Sequence, residues 1–314
     1  MMLARVADSL YWIGRYVERA EHMCRLSDVM LNATLDRTDA AAQVTRNVQA
    51  AVGDPETEEV LTPYEMARSL ALNREDPGSI TTSLSRAREN ARQVRDQITT
   101  ETWERLNLIY LRVTGPGAAK AFEDGSSSFL NEIISDLHMF KGAADATMSH
   151  GEGWGFLMLG AYLERAQLIA RLLKVCFGDE KQPPVTDHSA LTSLLRMGCA
   201  LEPYLRRYTA DIQPKLILEF LMFDADFPRS LRFTTARIAD HLAGLSGYVD
   251  HSSHSGPERL AGRLKARLQY ADVDNLQIRD ASPMVGTVLD ECAGIHSAIY
   301  DTFVAYSLEM RLPA

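Results

Sequence analysis

Two short segments of the chain place acidic, basic and aromatic residues in the same order. "YVERAE" covers residues 16–21 and "YLERAQ" covers residues 162–167. Glutamate can donate or accept a proton, and the planar guanidinium of arginine binds carboxylates and phosphates through paired hydrogen bonds. Seven positions match at one constant offset: Gly14, Tyr16, Glu18, Arg19, Ala20, Arg25 and Leu26 correspond to Gly160, Tyr162, Glu164, Arg165, Ala166, Arg171 and Leu172.

Helical spacing brings part of each segment to one face. Gly14, Glu18 and Arg25 are four and seven residues apart, and such spacings return to the same side of a helix. A glycine inside a helix costs up to ~1 kcal/mol relative to alanine, so we expect it to admit another backbone or a ligand. Arg19 and Arg165 project away from their neighbouring glutamates, and we therefore expect cross-helix partners for both.

Two interpretations of these charges stay open. In the first, the glutamates and arginines form ion pairs that hold helices together. In the second, the two sets converge on one polar cavity for a small anionic or zwitterionic ligand, with Glu18 and Glu164 as catalytic acid–base residues. The second interpretation makes ligand-binding residues of Arg15, Arg19, Arg25, Arg165 and Arg171.

Two further segments carry charge at helical spacing. "RARENARQVR" (86–95) sets Arg88, Arg92 and Arg95 on one helical row, which is also typical of a solvated helix surface. "FPRSLR" places Arg229 and Ser230 at a helix start, where free backbone N–H groups favour an anion or where Ser230 simply caps the helix.

Other chemistries lack a motif. The chain has no paired Glu-x-x-His, no Walker A segment, no G-x-G-x-x-G and no G-x-S-x-G. Glu18 with His22, and Asp250 with His254, give only two metal ligands each, and the four cysteines form no C-x-x-C. We expect neither a metal nor a cofactor.

The elements that would position these residues are helices. Apolar residues recur every three or four positions from Leu3 to Leu31, which predicts a long amphipathic helix. Pro77 is expected to begin a helix that continues over 81–98, and further helices are predicted over 129–139, 154–177, 191–208, 214–223, 228–245, 257–270 and 283–310. Strand alternation is absent from the sequence, so the fold class is all-α.

The similarity between the two halves extends beyond the first motif. "PGSI" at Pro77 matches "PRSL" at Pro228, and Pro63 and Pro214 precede them at equal spacing. The order of landmarks predicts an internal duplication and a pseudo-twofold helical bundle. We interpret the chain as one domain, 1–314, with repeat halves 1–146 and 147–314. "GDEKQPPVTDHS" (178–189) is the clearest linker and a candidate boundary.

Composition narrows the class of protein. The net charge of −9 argues against a general nucleic-acid binder. The sequence shows no apolar run long enough to span a bilayer, and the first residues lack the pattern of a signal peptide. A cytoplasmic location is expected.

The motifs together resemble the bacterial alpha-E family. The segments that carry the resemblance, over Leu3 to about Leu308, are "LYWIGRYVERAE", "ARENARQVRDQITTETWERLN", "GWGFLMLGAYLERAQ" and "FPRSLRF". The resemblance implies an all-helical protein whose function is largely uncharacterised, and it adds Arg86, Glu89, Asn90 and Arg92 to the expected ligand-binding residues.

The resemblance also implies partners. Alpha-E proteins are typically encoded beside, or fused to, circularly permuted ATP-grasp proteins, and often near transglutaminase-like cysteine proteases. A partner subunit that presents or modifies a substrate for an ATP-grasp ligase acting in trans is therefore one hypothesis. A self-sufficient Glu/Arg acid–base enzyme and a non-catalytic oligomeric scaffold are the others.

Overall fold

The computed structural model describes residues 2–34, 39–52, 61–177, 185–245, 256–273 and 275–305. As the sequence predicts, the protein is all-α. The helices are α1 (Ala4–Ala33), α2 (Asp39–Val52), α3 (Pro63–Leu72), α4 (Ile80–Gln93), α5 (Thr100–Thr114), α6 (Ala118–Asp124), α7 (Ser126–Thr147), α8 (Glu152–Phe177), α9 (His188–Met197), α10 (Leu201–Tyr208), α11 (Pro214–Phe223), α12 (Leu231–Leu245), α13 (Pro257–Gln269) and α14 (Ala281–Ile299). A 3₁₀ turn (Ile278–Asp280) precedes α14 and a π-helical turn (Tyr300–Val304) follows it.

Helix α1 runs through the middle of the bundle. It packs against α2, α3, α4, α7, α8 and α9. The predicted apolar seam is buried at Leu10, Ile13 and Val17, whereas Leu3 at the helix start is exposed. Because neighbours surround α1, its polar residues are also carried into the interior, which a helix with a single buried face would avoid.

The most extensive helix–helix interface joins α1 and α8, and it is closest at two glycines. A Cβ on Gly14 would lie 2.0 Å from the carbonyl oxygen of Leu157, and a Cβ on Gly160 would lie 1.9 Å from that of Tyr11. No side chain fits at either position. The predictions that the two Glu-Arg helices pack together, and that another backbone approaches these glycines, are confirmed.

Two helical hairpins flank this interface. Helices α3 and α4 lie against α1, and α12, which follows α11, lies against α8. Ser79 caps α4 by accepting a hydrogen bond from Thr82 N at 3.1 Å, and Ser230 caps α12 by accepting one from Phe233 N at 3.0 Å. Pro77 therefore lies in the turn before α4, so its predicted place at the helix start is wrong. The internal duplication and its division after residue 146 stay predictions.

The helical segment predicted over 191–208 is broken between α9 and α10. Ala200 N–H donates to Leu195 O at 2.7 Å and Cys199 N–H donates to Arg196 O at 3.0 Å. This pair of bonds is the Schellman motif, which ends a helix. Its left-handed position is occupied by Cys199, with φ 53°. A glycine is the usual residue there, and the sequence places Gly198 one residue earlier, which hides the break.

Helix α4 is shorter than predicted. It ends at Gln93, and the N–H of Gln97 donates to Val94 O at 2.9 Å to form a turn instead of a further helical bond. Arg95 of the expected row therefore lies beyond the helix, although the Cζ atoms of Arg88 and Arg95 both lie near the Trp103 ring, at 5.5 and 5.4 Å from its centre.

Some predicted features fall outside the described residues. They are the loop at 53–60, most of the linker at 178–189, Asp250, His254 and the predicted helical extension to residue 310. Within the described ranges, no helix is both long and apolar enough to cross a membrane.

Candidate functional site

The repeated Glu-Arg pairs exchange partners across the α1–α8 interface. Arg19 Nε on α1 lies 2.6 Å from Glu164 Oε1 on α8. In return, Arg165 on α8 donates from Nε and Nη2 to the two carboxylate oxygens of Glu18, at 2.7 and 2.9 Å. Cross-helix partners for both arginines are thus confirmed.

The tyrosine of each segment supports its arginine. The Arg19 Cζ atom lies 5.7 Å from the centre of the Tyr16 ring, and the Arg165 Cζ atom lies 5.1 Å from that of Tyr162. Residues three apart share a helix face, so the ring lies beneath the guanidinium and orients it towards the other helix. The Gly, Tyr, Glu and Arg of both segments therefore build one reciprocal crossing.

At the Glu164 end of this crossing, a second arginine of α1 also bonds to the carboxylate. Arg15 Nε lies 2.6 Å from Glu164 Oε2, and Arg15 Nη2 donates to Gln167 Oε1 at 2.6 Å. Arg15 Nη1 also donates to the Tyr11 hydroxyl at 3.1 Å, and this hydroxyl is 2.8 Å from His296 Nδ1. One carboxylate here is bonded to two arginines.

The Glu18 end of the crossing, which also includes Glu21, contains more charged side chains than the Glu164 end. Lys141 Nζ lies 2.6 Å from Glu18 Oε2 and also contacts Glu21, which is one turn further along α1. Arg229 bridges the two glutamates, with Nη1 at 3.3 Å from Glu18 Oε1 and Nη2 at 2.6 Å from Glu21 Oε1. Arg25 Nη2 lies 2.8 Å from the same Glu21 oxygen. Two carboxylates thus meet four cationic side chains.

All three glutamates are buried and ionised. Glu18, Glu21 and Glu164 are 0%, 1% and 2% exposed. Burial alone raises the pKa of Glu18, but the charges of Arg165, Lys141 and Arg229 outweigh it and hold that pKa well below its usual range. Burial also raises the pKa of Glu164, and Arg15 and Arg19 reverse the effect. These carboxylates are therefore poor proton acceptors at neutral pH.

The nearby His22 carries no charge. It is buried, and burial together with the charge of Arg229 lowers its pKa to about 4. Its Nδ1 atom has no hydrogen-bond partner in the described part of the chain. Among the described residues, the cluster contains three carboxylates and six cations, which are Arg15, Arg19, Arg25, Lys141, Arg165 and Arg229.

A cavity of about 390 Å³ adjoins the Glu18 end. Arg25, which is bonded to Glu21, forms part of its wall, together with Asp28, Asn131, Arg196, Cys199 and Glu202. The backbone of Cys199 is left-handed at this wall, which costs a non-glycine residue about 1–3 kcal/mol and often marks a functional position. Burial raises the pKa of the Cys199 thiol, whereas Arg229 and Arg25 oppose that rise.

Several predicted ligand-binding residues lie outside the charged cluster. Arg92 pairs with Glu89 on the surface of α4 at 2.7 Å, and Asn90 lies on the same helix. Arg86 is exposed, with its Cζ atom 6.0 Å from the Tyr16 ring centre. Arg171 is exposed on α8, and Ser230 acts as a helix cap. A ligand-binding role for these residues stays a prediction.

Glu21 and Lys141 belong to the cluster but were not predicted from the sequence. The sequence does contain a signal for Glu21. It follows Glu18 by three residues and therefore shares its helix face, and the matching residue of the second segment, Gln167, is also polar. Lys141 is a single lysine on α7 without a motif around it, so only the packing of α7 on α1 reveals its position. Among the described residues, no group of three or more His, Cys, Asp or Glu side chains is arranged to hold a metal ion.

Comparison with known proteins identifies relatives without an assigned activity. Residues 2–304 match the family model named Alpha-E, described as a predicted alpha-helical domain with a conserved ER motif. An uncharacterised protein of Mycobacterium bovis and one of Mycobacterium tuberculosis are each 28% identical over 98% of this chain, and a second M. tuberculosis sequence is 27% identical. The chain spans about 37% of the length of these relatives. No solved structure matches the chain significantly.

Proposed function

This chain belongs to the Alpha-E family, and from that premise we propose that it is the helical partner of a circularly permuted ATP-grasp ligase acting in trans. In this role it presents or modifies a small anionic, zwitterionic or peptide substrate in a peptide- or amide-forming system. A transglutaminase-like cysteine protease of the same system is a second proposed partner. The proposed location is cytoplasmic.

The observation that carries the proposal is the excess of positive charge in the charged cluster. Six cations face three carboxylates there, in a chain whose net charge is −9. Buried or half-buried cations are costly unless an anion compensates them, and arginine binds carboxylates and phosphates with two hydrogen bonds. The substrates of ATP-grasp ligases are carboxylates that become acyl phosphates, so both forms would complement this charge.

The lengths of the relatives support a partnership. The match covers 98% of this chain but only 37% of each mycobacterial relative, so most of each relative is additional sequence. An Alpha-E chain that works beside another catalytic unit fits this arrangement. In the present proposal that unit is a separate protein.

The alternative of a self-sufficient acid–base enzyme has less support. Both oxygens of Glu18 and of Glu164 are bonded to cationic side chains, and each carboxyl has a lowered pKa. A general base needs a free lone pair and a pKa near the working pH. We therefore assign these glutamates to positioning the arginines, and their predicted catalytic role stays untested.

The test combines binding with turnover. The purified chain is mixed with a candidate circularly permuted ATP-grasp protein, and co-elution and ATP-dependent product formation are measured. We expect a complex, and we expect Arg165→Lys to reduce product formation because lysine keeps the charge but loses the paired hydrogen bonds to Glu18. Arg105→Lys on the exposed face of α5 is the matched control. A ligase that neither binds the chain nor changes its turnover would overturn the proposal.

A further inference from the structure

We infer that the 390 Å³ cavity between α1, α7, α9 and α10 binds a free α-amino acid with an aliphatic side chain. The inference rests on the proposed function for the general idea that this chain holds a substrate. It adds the position of the binding site and the chemical class of the ligand. A cavity of this size lies within the usual range for small-molecule sites, about 300–1,000 Å³.

Two arginines of the cavity are available to a carboxylate. Arg25 uses Nε and Nη2 for Glu21, at 3.0 and 2.8 Å, whereas its Nη1 group has no hydrogen bond in the described part of the chain. Arg196 is exposed at the rim, and its guanidinium has neither a hydrogen bond nor an ion pair with any residue that the structure describes. An arginine with free donors is the preferred partner of a carboxylate.

Two acidic side chains of the same wall are available to an ammonium group. Asp28 accepts hydrogen bonds from Ser127 and Asn131 through Oδ1 alone, so Oδ2 is open across the described ranges. Glu202 is exposed and unpaired within those ranges. These carboxylates would repel a simple phosphate or dicarboxylate, whereas a ligand with one carboxylate and one ammonium satisfies both signs of charge.

Part of the cavity wall is apolar. Val29 of α1 and Ile134 of α7 line the cavity next to the charged groups, and Ile134 is buried. An aliphatic side chain would cover this surface and exclude water from it. The combination of a cationic, an anionic and an apolar element in one cavity therefore points to an amino acid such as leucine, which serves as the probe.

Cys199 provides an internal reporter for occupancy. It lines the cavity and is half-buried, whereas Cys24, Cys176 and Cys292 are buried. Iodoacetamide should therefore modify Cys199 first in the folded protein, and mass spectrometry can locate the adduct. L-leucine at millimolar concentration should slow this alkylation about fivefold or more, because a bound ligand covers the thiol.

Analogues of leucine separate the two charged contacts. N-acetyl-L-leucine lacks the ammonium group and L-leucinamide lacks the carboxylate, so each should bind about tenfold or more weakly than L-leucine in calorimetry. If N-acetyl-L-leucine binds as tightly as L-leucine, the cavity is a plain anion site and the inference is overturned. Absence of both heat and thiol protection with L-leucine also overturns it.

Variants assign the binding to this cavity. Arg196→Ala and Glu202→Gln should each weaken L-leucine binding about tenfold with an unchanged melting temperature, because both side chains are exposed and unpaired in the described structure. Arg105→Ala, an exposed arginine on α5, should bind L-leucine normally. Unchanged affinity in Arg196→Ala would refute the assignment.

All these measurements use the isolated chain, so their outcome is independent of any ligase. Leucine binding without a ligase complex would overturn only the proposed partnership. A ligase complex without leucine binding would overturn only the present inference.

Discussion

Replacing Glu164 by glutamine should destabilise the protein more than the same replacement of Glu18, although both glutamates occupy matching places in the α1–α8 crossing. Glu164 is the only carboxylate bonded to Arg15 and Arg19 among the described residues. Arg15 is deeply buried, with a side chain 7% exposed. Glu18, by contrast, shares Lys141 and Arg229 with Glu21.

The loss of unfolding free energy in each variant depends on which buried cations are left without a carboxylate partner. Removing one partner of a buried ion pair costs about 3–5 kcal/mol, because the other charge stays buried without compensation. Glu164→Gln should fall in this range. Glu18→Gln leaves Glu21 to compensate Lys141 and Arg229, and it also relieves repulsion between two neighbouring carboxylates. We expect Glu18→Gln to lower the free energy of unfolding by about 1–3 kcal/mol. Only Arg165 then loses every carboxylate that the structure shows bonded to it.

The assay is urea unfolding of the two variants at neutral pH. Glu89→Gln is the matched control, because Glu89 forms an exposed pair with Arg92 and should contribute no more than about 0.5 kcal/mol. An equal or larger loss of stability in Glu18→Gln than in Glu164→Gln would refute this account of shared and unshared cations. Product formation with the ligase partner, corrected for the folded fraction, then shows whether either glutamate has a role beyond stability.

Three further predictions concern the same crossing and the absence of a metal motif. Gly14→Ala and Gly160→Ala should each destabilise the protein by about 3 kcal/mol or more, since each Cβ would overlap a carbonyl oxygen. The control is Gly142→Ala, where the Cβ meets nothing within 4 Å; it should stabilise α7 by about 0.5–1 kcal/mol in the same urea assay. The lowered pKa values of Glu18 and Glu164 mean that their stabilisation is complete above the ordinary glutamate value of 4.5 and is lost as the pH falls below it, so the urea midpoint should drop in that acidic range. Elemental analysis of protein purified without added metal should show no stoichiometric zinc or iron, and a full equivalent of either would contradict this.

The parts of the fold that the sequence predicted are those that depend on local spacing. Helices α1 and α8 follow from apolar residues every three or four positions, and the glycines at the crossing follow from their cost inside a helix. The cross-helix exchange of Arg19 and Arg165 was also predictable, because adjacent residues on a helix point in different directions. Each of these inferences needs only residues within two turns of one another.

The parts that escaped prediction depend on packing between distant segments. Lys141 reaches Glu18 because α7 lies on α1, and Arg229 reaches both glutamates because the turn before α12 approaches α1. The end of α9 was missed for a different reason, since Cys199 takes a left-handed position that normally indicates glycine. Long-range partners and unusual residues at helix ends leave no periodic pattern in the sequence.

The crossing combines a symmetric framework with asymmetric charge. Applying the sequence offset that relates the two motifs pairs Glu21 with the neutral Gln167 and Arg15 with Ala161, and the proline turns pair Arg229 with Gly78. The Gly, Tyr, Glu and Arg of the crossing are therefore repeated, whereas Arg15, Glu21 and Arg229 have no charged counterpart. The Glu164 end, with one carboxylate between two arginines, has the composition of a structural brace. Both ends have two cations for each carboxylate, but the Glu18 end also connects through Arg25 to the cavity, so we expect ligand binding at this end of the crossing.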